Sequence, residues 1–194
     1  DYRLLSTGQH NLEDLCKEFG IKKPDKVLSE APERSSKFNT STLKALFWNF
    51  NLIWKLVREI RSENFDYVFY HGDTMSTASA AFSTSRLFFP LKKFKSVHLE
   101  SGLRSGTIFE PFPEEISRRI ADFLSDILFA VSVESKSNLS VHKFLGKKIY
   151  NVGNTIIDSV HHALDMGAEI EESDFGIVTV HRHENLKSER RMEK

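Results

Sequence analysis

Residues 95–115, with the sequence KSVHLESGLRSGTIFEPFPEE, have the pattern of one complete strand–loop–helix unit. The run KSVHL at residues 95–99 predicts a strand, and the loop after it carries two glycines that bracket Arg104. Pro113 predicts the start of a helix, because proline is favoured in the first helical turn. In α/β proteins, ligands bind beyond the carboxyl ends of the strands. The charged loop is therefore the first candidate for a functional site.

The same alternation of strands and helices extends along the whole chain. Apolar runs predict further strands at residues 2–7, 67–70, 127–133, 149–152 and 176–180. Apolar spacing predicts helices at residues 12–19, 43–60, 75–89 and 113–127, from the end of the 127–133 strand to about Leu145, and from Gly153 onward. The polar segment 21–42 predicts a loop. This alternation predicts an α/β fold with a doubly wound parallel sheet covered on both faces.

The helix at residues 43–60 has the clearest apolar stripe of the chain. Its predicted apolar face consists of Leu46, Phe47, Phe50, Ile53, Trp54, Val57 and Ile60. The basic residues Lys44, Lys55 and Arg58 lie off this stripe. The pattern therefore predicts an amphipathic helix that buries these apolar side chains.

Bulk composition excludes several classes of protein. The 194 residues suit one domain, or one domain with part of another, and 27 basic and 27 acidic residues give zero formal net charge. Without a basic bias, nucleic acid is not an expected partner. The single cysteine, Cys16, permits neither an internal disulfide nor a thiolate metal cluster. Apolar runs too short to cross a membrane, and a first segment unlike a signal peptide, predict a soluble cytoplasmic protein.

Three carboxylate motifs follow or begin predicted elements, and each has a structural alternative. Asp73 in HGDT is either a helix N-cap or a functional carboxylate. Glu100 and Arg104 form either an exposed loop salt bridge or part of an anion site, since arginine binds phosphate and carboxylate through two nitrogens. Glu114 lies in a first helical turn, where the helix dipole favours acids, four residues before Arg118. The residues alone leave these alternatives open.

The histidines do not make a metal site. His181 and His183 point the same way if the last strand continues, but no third ligand is visible in the sequence. His10, His71 and His98 each flank a predicted strand end, where a polar residue is readily satisfied by hydrogen bonds. We therefore expect no metal ion.

The motifs gain their meaning from their order along the chain. They are GQH (8–10), HGDT (71–74), HLESGLRSG (98–106), PFPEEISRR (111–119), GNTIID (153–158) and VTVHRHEN (178–185). This set resembles the non-hydrolysing UDP-N-acetylglucosamine 2-epimerases in both order and spacing, over roughly residues 9–185. Ser101 and Ser117 depart from the family pattern, which has alanine and asparagine at these positions.

The resemblance implies a function and a set of site residues. It implies a homodimer of glycosyltransferase-B-like subunits that interconverts UDP-N-acetylglucosamine and UDP-N-acetylmannosamine without a cofactor, for polysaccharide biosynthesis. By this similarity the catalytic residues are Asp73, Glu100, Glu114 and His181. Substrate contacts are expected from Arg104, Arg118, Arg182, Glu184, Gln9 and His10. Gln9 and His10 also match an allosteric nucleotide contact of some bacterial members.

The resemblance also implies a domain organisation. Residues 1–170 would form an N-terminal Rossmann-like domain without its first strand, and residues 171–194 would begin a truncated C-terminal nucleotide-binding domain. A missing central strand would leave a gap in the core, and half a cleft would leave the isolated chain inactive. Two other functions stay open. One is a hydrolysing epimerase that releases N-acetylmannosamine and UDP, and the other is an inactive remnant that binds a partner or nucleotide weakly.

Overall fold

The protein is a set of parallel strands with flanking helices. The computed structural model describes residues 1–8, 12–29, 38–143, 145–167, 174 and 176. The elements are β1 (Leu5–Ser6), α1 (Glu13–Glu18), β2 (Lys26–Val27), α2 (Phe38–Ser62), β3 (Tyr67–His71), α3 (Met75–Ser83), β4 (Lys95–Ser101), α4 (Glu114–Leu124), β5 (Ile127–Ala130), α5 (Val133–Asn138), α6 (Ser140–Lys143), β6 (Lys148–Asn151) and α7 (Thr155–Asp165). The predicted α/β class is confirmed. The strand predicted at residues 176–180 lies outside the described residues, apart from Gly176.

The strands form two parallel sheets. Strands β3, β4, β5 and β6 pair in this order, and β1 pairs with β2. Strand β2 and the first turns of α2 fall in the segment that was predicted as a loop, so that prediction is wrong there. A strand of two residues is too short to show an alternating pattern. It is held by its register with β1, where Leu5 pairs with Lys26 and Ser6 with Val27.

A cavity separates the two sheets. It has a volume of about 750 Å³ and is lined by residues of β1 and β3, with α2 and α3 contributing side chains such as Leu56 and Ala80. No hydrogen-bonded strand pairing joins β1 to β3 within the described ranges. The absence of a first strand, which the family resemblance implies, stays a prediction.

Helix α2 buries only part of the face that the sequence predicts. Its buried residues include Leu52 and Leu56, which pack with Leu28 in one core cluster. The predicted face is partly wrong, because Leu46, Phe47, Phe50 and Trp54 are exposed, Phe47 to 74%. Only the last part of the stripe, at Val57 and Ile60, is buried as predicted. The outer aromatic residues contact one another instead, with Trp54 packed edge-on against Phe50 and Phe88.

Small side chains let the helices approach the main sheet closely. Helix α3 packs against both α2 and α4, and the core cluster that joins α3, α4 and β3 consists of Tyr70, Ala81 and Ala121. The hydroxyl of Tyr70 lies 2.6 Å from that of Ser125, so the buried phenol is satisfied. This close packing fixes the start of α4 relative to the carboxyl ends of β3 and β4.

Gly102 follows β4 at a position that no other residue can occupy without strain. Its φ is +84°, and a Cβ atom there would lie 2.3 Å from the carbonyl oxygen of Ser135. We expect Gly102→Ala to lower the free energy of unfolding by about 3 kcal/mol or more, from backbone strain and the clash together. The matched control is Gly146→Ala, where φ is +73° but nothing lies within 4 Å. Urea denaturation that gives equal losses for both variants would contradict the close approach.

The chain divides into two compact units, Asp1–Ile156 and Ile157–Lys194. The first unit holds both sheets. The described part of the second unit is the remainder of α7, the two residues after it, and residues 174 and 176. The predicted domain boundary between residues 170 and 171 stays a prediction. Within the described part of the chain, no helix has the length and apolar character that a membrane crossing requires.

Candidate active site

Asp73 lies in the turn between β3 and α3, and it is not the helix cap. Thr74 takes that role, since its hydroxyl oxygen accepts a hydrogen bond from the Thr77 amide at 3.4 Å. The Thr77 hydroxyl in turn donates to the carbonyl oxygen of His71 at 2.6 Å, which fixes the turn. The carboxylate of Asp73 pairs instead with the guanidinium of Arg118. The structure thereby removes the N-cap explanation of the HGDT motif.

Glu100 is held in a strained backbone conformation at the end of β4. Its φ is +63°, and it is the only described residue other than glycine with a positive φ. The pairing of β4 with β5 shifts register between Leu99 and Ser101, so Glu100 occupies an irregularity in the strand. Such irregularities redirect a side chain, and non-glycine residues in the left-handed region cluster at functional sites. The strain therefore supports a functional role for this carboxylate.

The carboxylate of Glu100 lies beside the turn that carries Asp73. A Cβ atom on Gly72 would be 3.8 Å from Oε2 of Glu100. Nε2 of His71 lies 3.6 Å from the same oxygen. The predicted alternative of a salt bridge between Glu100 and Arg104 is not formed in the described structure. The contacts therefore bring the ends of β3 and β4 together around two carboxylates.

The two adjacent glutamates at the start of α4 have different surroundings. Glu115 is completely buried and accepts hydrogen bonds from Arg118 and Arg119, both at 2.8 Å, and from the Ser105 amide at 3.3 Å. Glu114 has a buried Oε2 without a hydrogen-bond partner among the described residues. Arg118 thus pairs with the glutamate three residues before it rather than with Glu114. Oε2 of Glu114 therefore remains able to accept a hydrogen bond, whereas both carboxylate oxygens of Glu115 already accept hydrogen bonds within the fold.

Arg118 joins the two sides of the site. Nη1 donates to Glu115 at 2.8 Å, and Nη2 donates to Asp73 on the loop after β3. The residue is only 7% exposed, and its Nε is buried without a partner among the described residues. One buried cation therefore holds the Asp73 loop against the start of α4.

A second buried network, of hydrogen bonds and an ion pair, connects β4, α4 and the turn that carries Asp73. His98 is fully buried, with Nε2 2.9 Å from the carbonyl oxygen of Gly72 and Nδ1 2.8 Å from Oδ1 of Asp122. Because a carbonyl oxygen only accepts, Nε2 of His98 donates to Gly72. Nη1 of Arg104 lies 2.7 Å from Oδ2 of Asp122. Part of the charge of Arg104 is therefore used within the fold, and its role in substrate binding stays a prediction.

Comparison with known proteins connects this site to a family. The family model for UDP-N-acetylglucosamine 2-epimerase matches residues 1–194. The chain belongs to this family. The UDP-N-acetylglucosamine 2-epimerase of Campylobacter jejuni is 32% identical over 209 residues, which cover 96% of this chain and 50% of that protein. The chain spans about half the length of several curated family relatives that it matches.

Solved structures of the family share the fold. The UDP-GlcNAc 2-epimerase from Neisseria meningitidis bound to UDP-GlcNAc has a TM-score of 0.65 and 28% identity, over 80% of this chain and 38% of that one. The Methanocaldococcus jannaschii enzyme in complex with UDP-GlcNAc and UDP has a TM-score of 0.66 and 28% identity, over 88% and 44% of the two chains. These likenesses confirm the Rossmann-like fold that the sequence predicts.

Several residues that the family resemblance singles out cannot be placed. His181, Arg182 and Glu184 follow the last predicted strand, and Gln9 and His10 follow β1; all five lie outside the described residues. Their roles in catalysis and substrate binding stay predictions. The described part of the site therefore consists of the carboxylates, Arg118 and the supporting network.

Sequence reasoning on this family member missed three residues of the site. Glu115 was not singled out, yet its spacing of three and four residues from Arg118 and Arg119 is a visible signal. His71 was noted only as a polar residue at a strand end, and Asp122 left no local signal, because the partners of both lie far away in the sequence. Only the fold brings Asp122 to His98, 24 residues earlier in the chain.

Acid is expected to weaken the fold through Asp122. Although burial alone would raise the pKa of this carboxyl, the hydrogen bond from His98 and the charges of His98 and Arg104 hold it below its ordinary value. Such a group stabilises the fold above its unfolded pKa of about 3.9, and the contribution is lost as the pH falls through the folded value. We expect the free energy of unfolding to fall more steeply in the wild type than in Asp122→Asn below about pH 5. Parallel curves in urea titrations at a series of pH values would contradict this.

Proposed function

We propose that this chain carries the proton-transfer groups of an epimerase that interconverts UDP-N-acetylglucosamine and UDP-N-acetylmannosamine. The observation that carries the proposal is the meeting of Asp73, Glu100 and the start of α4 at the carboxyl ends of β3 and β4. Family membership and the relatives' names support the substrate class. The activity is proposed for the whole protein.

The chemistry accounts for the number of carboxylates. The C2 hydrogen of the sugar has no adjacent carbonyl, so its direct removal would leave an unstabilised carbanion. If a carboxylate takes the C2 proton while the C1–O bond to UDP breaks, the electron pair forms a C1=C2 double bond and the carbanion is avoided. UDP then returns to C1 as a proton arrives at C2 from the opposite face. Epimerisation thus requires proton-transfer groups on both faces of one carbon.

The surroundings of the three carboxylates suit proton transfer to and from C2. Asp73 is paired with Arg118 and is one-third exposed, at 33% of its side chain. Glu100 is held by a strained backbone, and Glu114 has a buried oxygen without a partner among the described residues. We assign the proton transfers to these three, and stabilisation of the departing UDP to His181. Positive charge near the departing diphosphate lowers the barrier most effectively when it is already in place before reaction.

Product analysis tests the proposal against its alternatives. The protein expressed from its complete native gene is incubated with UDP-N-acetylglucosamine, and the products are separated by anion-exchange chromatography. The proposal predicts UDP-N-acetylmannosamine without free sugar. Free N-acetylmannosamine with UDP would identify the hydrolysing reaction, and absence of any product would favour the inactive remnant. A parallel assay of residues 1–194 alone tests the expectation that they are inactive in isolation.

We also propose that the protein is a cytoplasmic homodimer that serves polysaccharide biosynthesis. The exposed aromatic face of α2, with Phe47, Phe50 and Trp54, supports self-association, since large exposed apolar patches mark interaction sites. Sedimentation velocity measures the oligomeric state directly. A monomer at micromolar concentration would contradict the dimer.

A further inference from the structure

A second cavity lies at the opposite end of the main sheet from the candidate active site. The first residues of the four strands, Tyr67, Lys95, Ile127 and Lys148, all line it. Because the strands are parallel, these residues mark the amino-terminal edge, whereas the carboxylates lie at the carboxyl-terminal edge. The cavity has a volume of about 530 Å³, which is within the range of small-molecule sites. The proposed epimerase reaction assigns it no role.

The lining of this cavity carries an excess of positive charge. The charged residues among the described lining are Arg86, Lys92, Lys95, Lys147, Lys148 and Asp126. Asp126 is already used, because its Oδ2 lies 2.6 Å from Nζ of Lys92. Five cations therefore share one carboxylate, and that carboxylate pairs with a single lysine.

Two of the cations serve the fold, and three do not. Lys147 donates from Nζ to the carbonyl oxygens of Phe123 and Ser125, which caps the C-terminal end of α4. Lys92 is held by Asp126. Arg86, Lys95 and Lys148 are exposed, and no carboxylate of the described residues lies within ion-pair distance of them. These three charges remain available to a ligand.

Both partly buried lysines of the cavity have lowered pKa values. Burial lowers the pKa of Lys147 to about 8, although the charges of Asp126 and Asp122 oppose the shift; the charge of Lys92 adds a smaller lowering. Burial likewise lowers the pKa of Lys92; its pairing with Asp126 opposes the shift, and the charges of Arg86 and Lys95 reinforce it. The charges of Arg86 and Lys95 thus disfavour the charged form of Lys92, and a bound anion would oppose this effect.

A buried hydroxyl points independently to a ligand. Ser85 lines the cavity and is only 6% exposed, yet its Oγ has no hydrogen-bond partner among the described residues. A buried hydroxyl without a partner is costly and uncommon in folded proteins. An oxygen of a bound anion would satisfy it.

We propose that this cavity binds a small phosphate-containing anion that carries two or more negative charges. Arg86, Lys95 and Lys148 supply the charge, and the Ser85 hydroxyl donates a hydrogen bond to a phosphate oxygen. Tyr67 and Phe123 are exposed aromatic walls of the same cavity and leave room for an organic group. The same chemistry fits an inorganic polyphosphate and an organic phosphate ester.

Calorimetric titration at constant ionic strength tests the proposal, with inorganic pyrophosphate and phenyl phosphate as separate probes. We expect saturable binding of at least one probe with a dissociation constant of about 1 mM or below. Tighter binding of pyrophosphate indicates an inorganic ligand, and tighter binding of phenyl phosphate indicates an ester. Absence of saturable heat for both probes, beyond that of sodium chloride, overturns the proposal.

Variants locate the binding within the protein. Lys95→Gln combined with Lys148→Gln is expected to weaken binding about tenfold, because two nearby charges are lost. Ser85→Ala is expected to weaken it about fivefold through the lost hydrogen bond. The matched control, Lys93→Gln with Lys143→Gln, removes the same charge from exposed lysines outside the cavity and leaves the affinity unchanged.

Two results contradict this location. One is an unchanged affinity in the Lys95→Gln, Lys148→Gln variant. This result is also expected if the probes bind at the candidate active site instead of in the cavity. The other is an equal loss in the control pair, which means that net charge alone attracts the probes. Thermal melting of each variant verifies that the fold is retained; substitutions of exposed lysines rarely change stability, and the measurement is most needed for the buried Ser85.

Discussion

The Asp73→Asn protein is expected to lose epimerisation and hydrogen exchange at C2 together, with kcat lower by about 10³-fold. An amide cannot accept or deliver the proton that a carboxylate handles. Asp73 is also the one proposed proton-transfer group bonded to Arg118, so its position is well fixed. The rate of UDP-N-acetylmannosamine formation, followed by chromatography at saturating substrate, measures the loss. The protein expressed from the complete native gene is used.

The matched control for this prediction is Asp165→Asn, an exposed aspartate on α7. It makes the same chemical change away from the described site and is expected to leave kcat unchanged. Asp73→Asn also weakens the contact with Arg118, so its melting temperature must be compared with that of the wild type. Normal exchange at C2 in a folded Asp73→Asn protein would refute the role of this carboxylate.

Arg118→Met is expected to lower the free energy of unfolding by about 3 kcal/mol or more. The substitution removes the more buried of the two arginines that pair with the fully buried Glu115, and it removes the cation that neutralises Asp73. A buried carboxylate that loses part of its compensating charge is costly, whereas methionine fills most of the same volume. Urea denaturation gives the free energy of unfolding and its slope.

Arg119→Met offers a stringent control, because Arg119 binds the same glutamate at the same distance of 2.8 Å. The side chain of Arg119 is 42% exposed, against 8% for Arg118. Exposed ion pairs contribute little, so we expect a loss of about 1 kcal/mol or less. Equal losses in the two variants would show that burial of Arg118 does not determine its contribution.

The positions of the main strands along the chain could be predicted, because their apolar runs are self-contained signals. The runs that begin at Tyr67, Lys95 and Ile127 each end in polar residues, and the structure places strands there. Strand β2 could not be predicted, since two residues carry no pattern. The apolar spacing of α2 correctly predicted a helix, but it did not predict which of its side chains are buried. Periodicity alone does not say which neighbouring elements cover a helix.

The candidate site was predictable as a region but not as a set of contacts. Position after a strand marked Asp73 and Glu100, but the choice between a cap and a functional group depended on Thr74 and Arg118. The positive φ of Glu100 is a property of the folded backbone and leaves no trace in the amino-acid type. The complete burial of Glu115 is likewise a property of the folded chain, although its spacing from Arg118 and Arg119 is visible in the sequence.

Isotope entry at C2 tests the central claim most directly. The protein from the complete native gene is incubated with UDP-N-acetylglucosamine in deuterium oxide, and the nucleotide sugars are analysed by mass spectrometry and proton NMR. Removal of the C2 proton and its return from solvent predict one deuterium at C2 of the newly formed UDP-N-acetylmannosamine. Formation of that epimer with its original hydrogen retained at C2 would contradict proton transfer by these carboxylates.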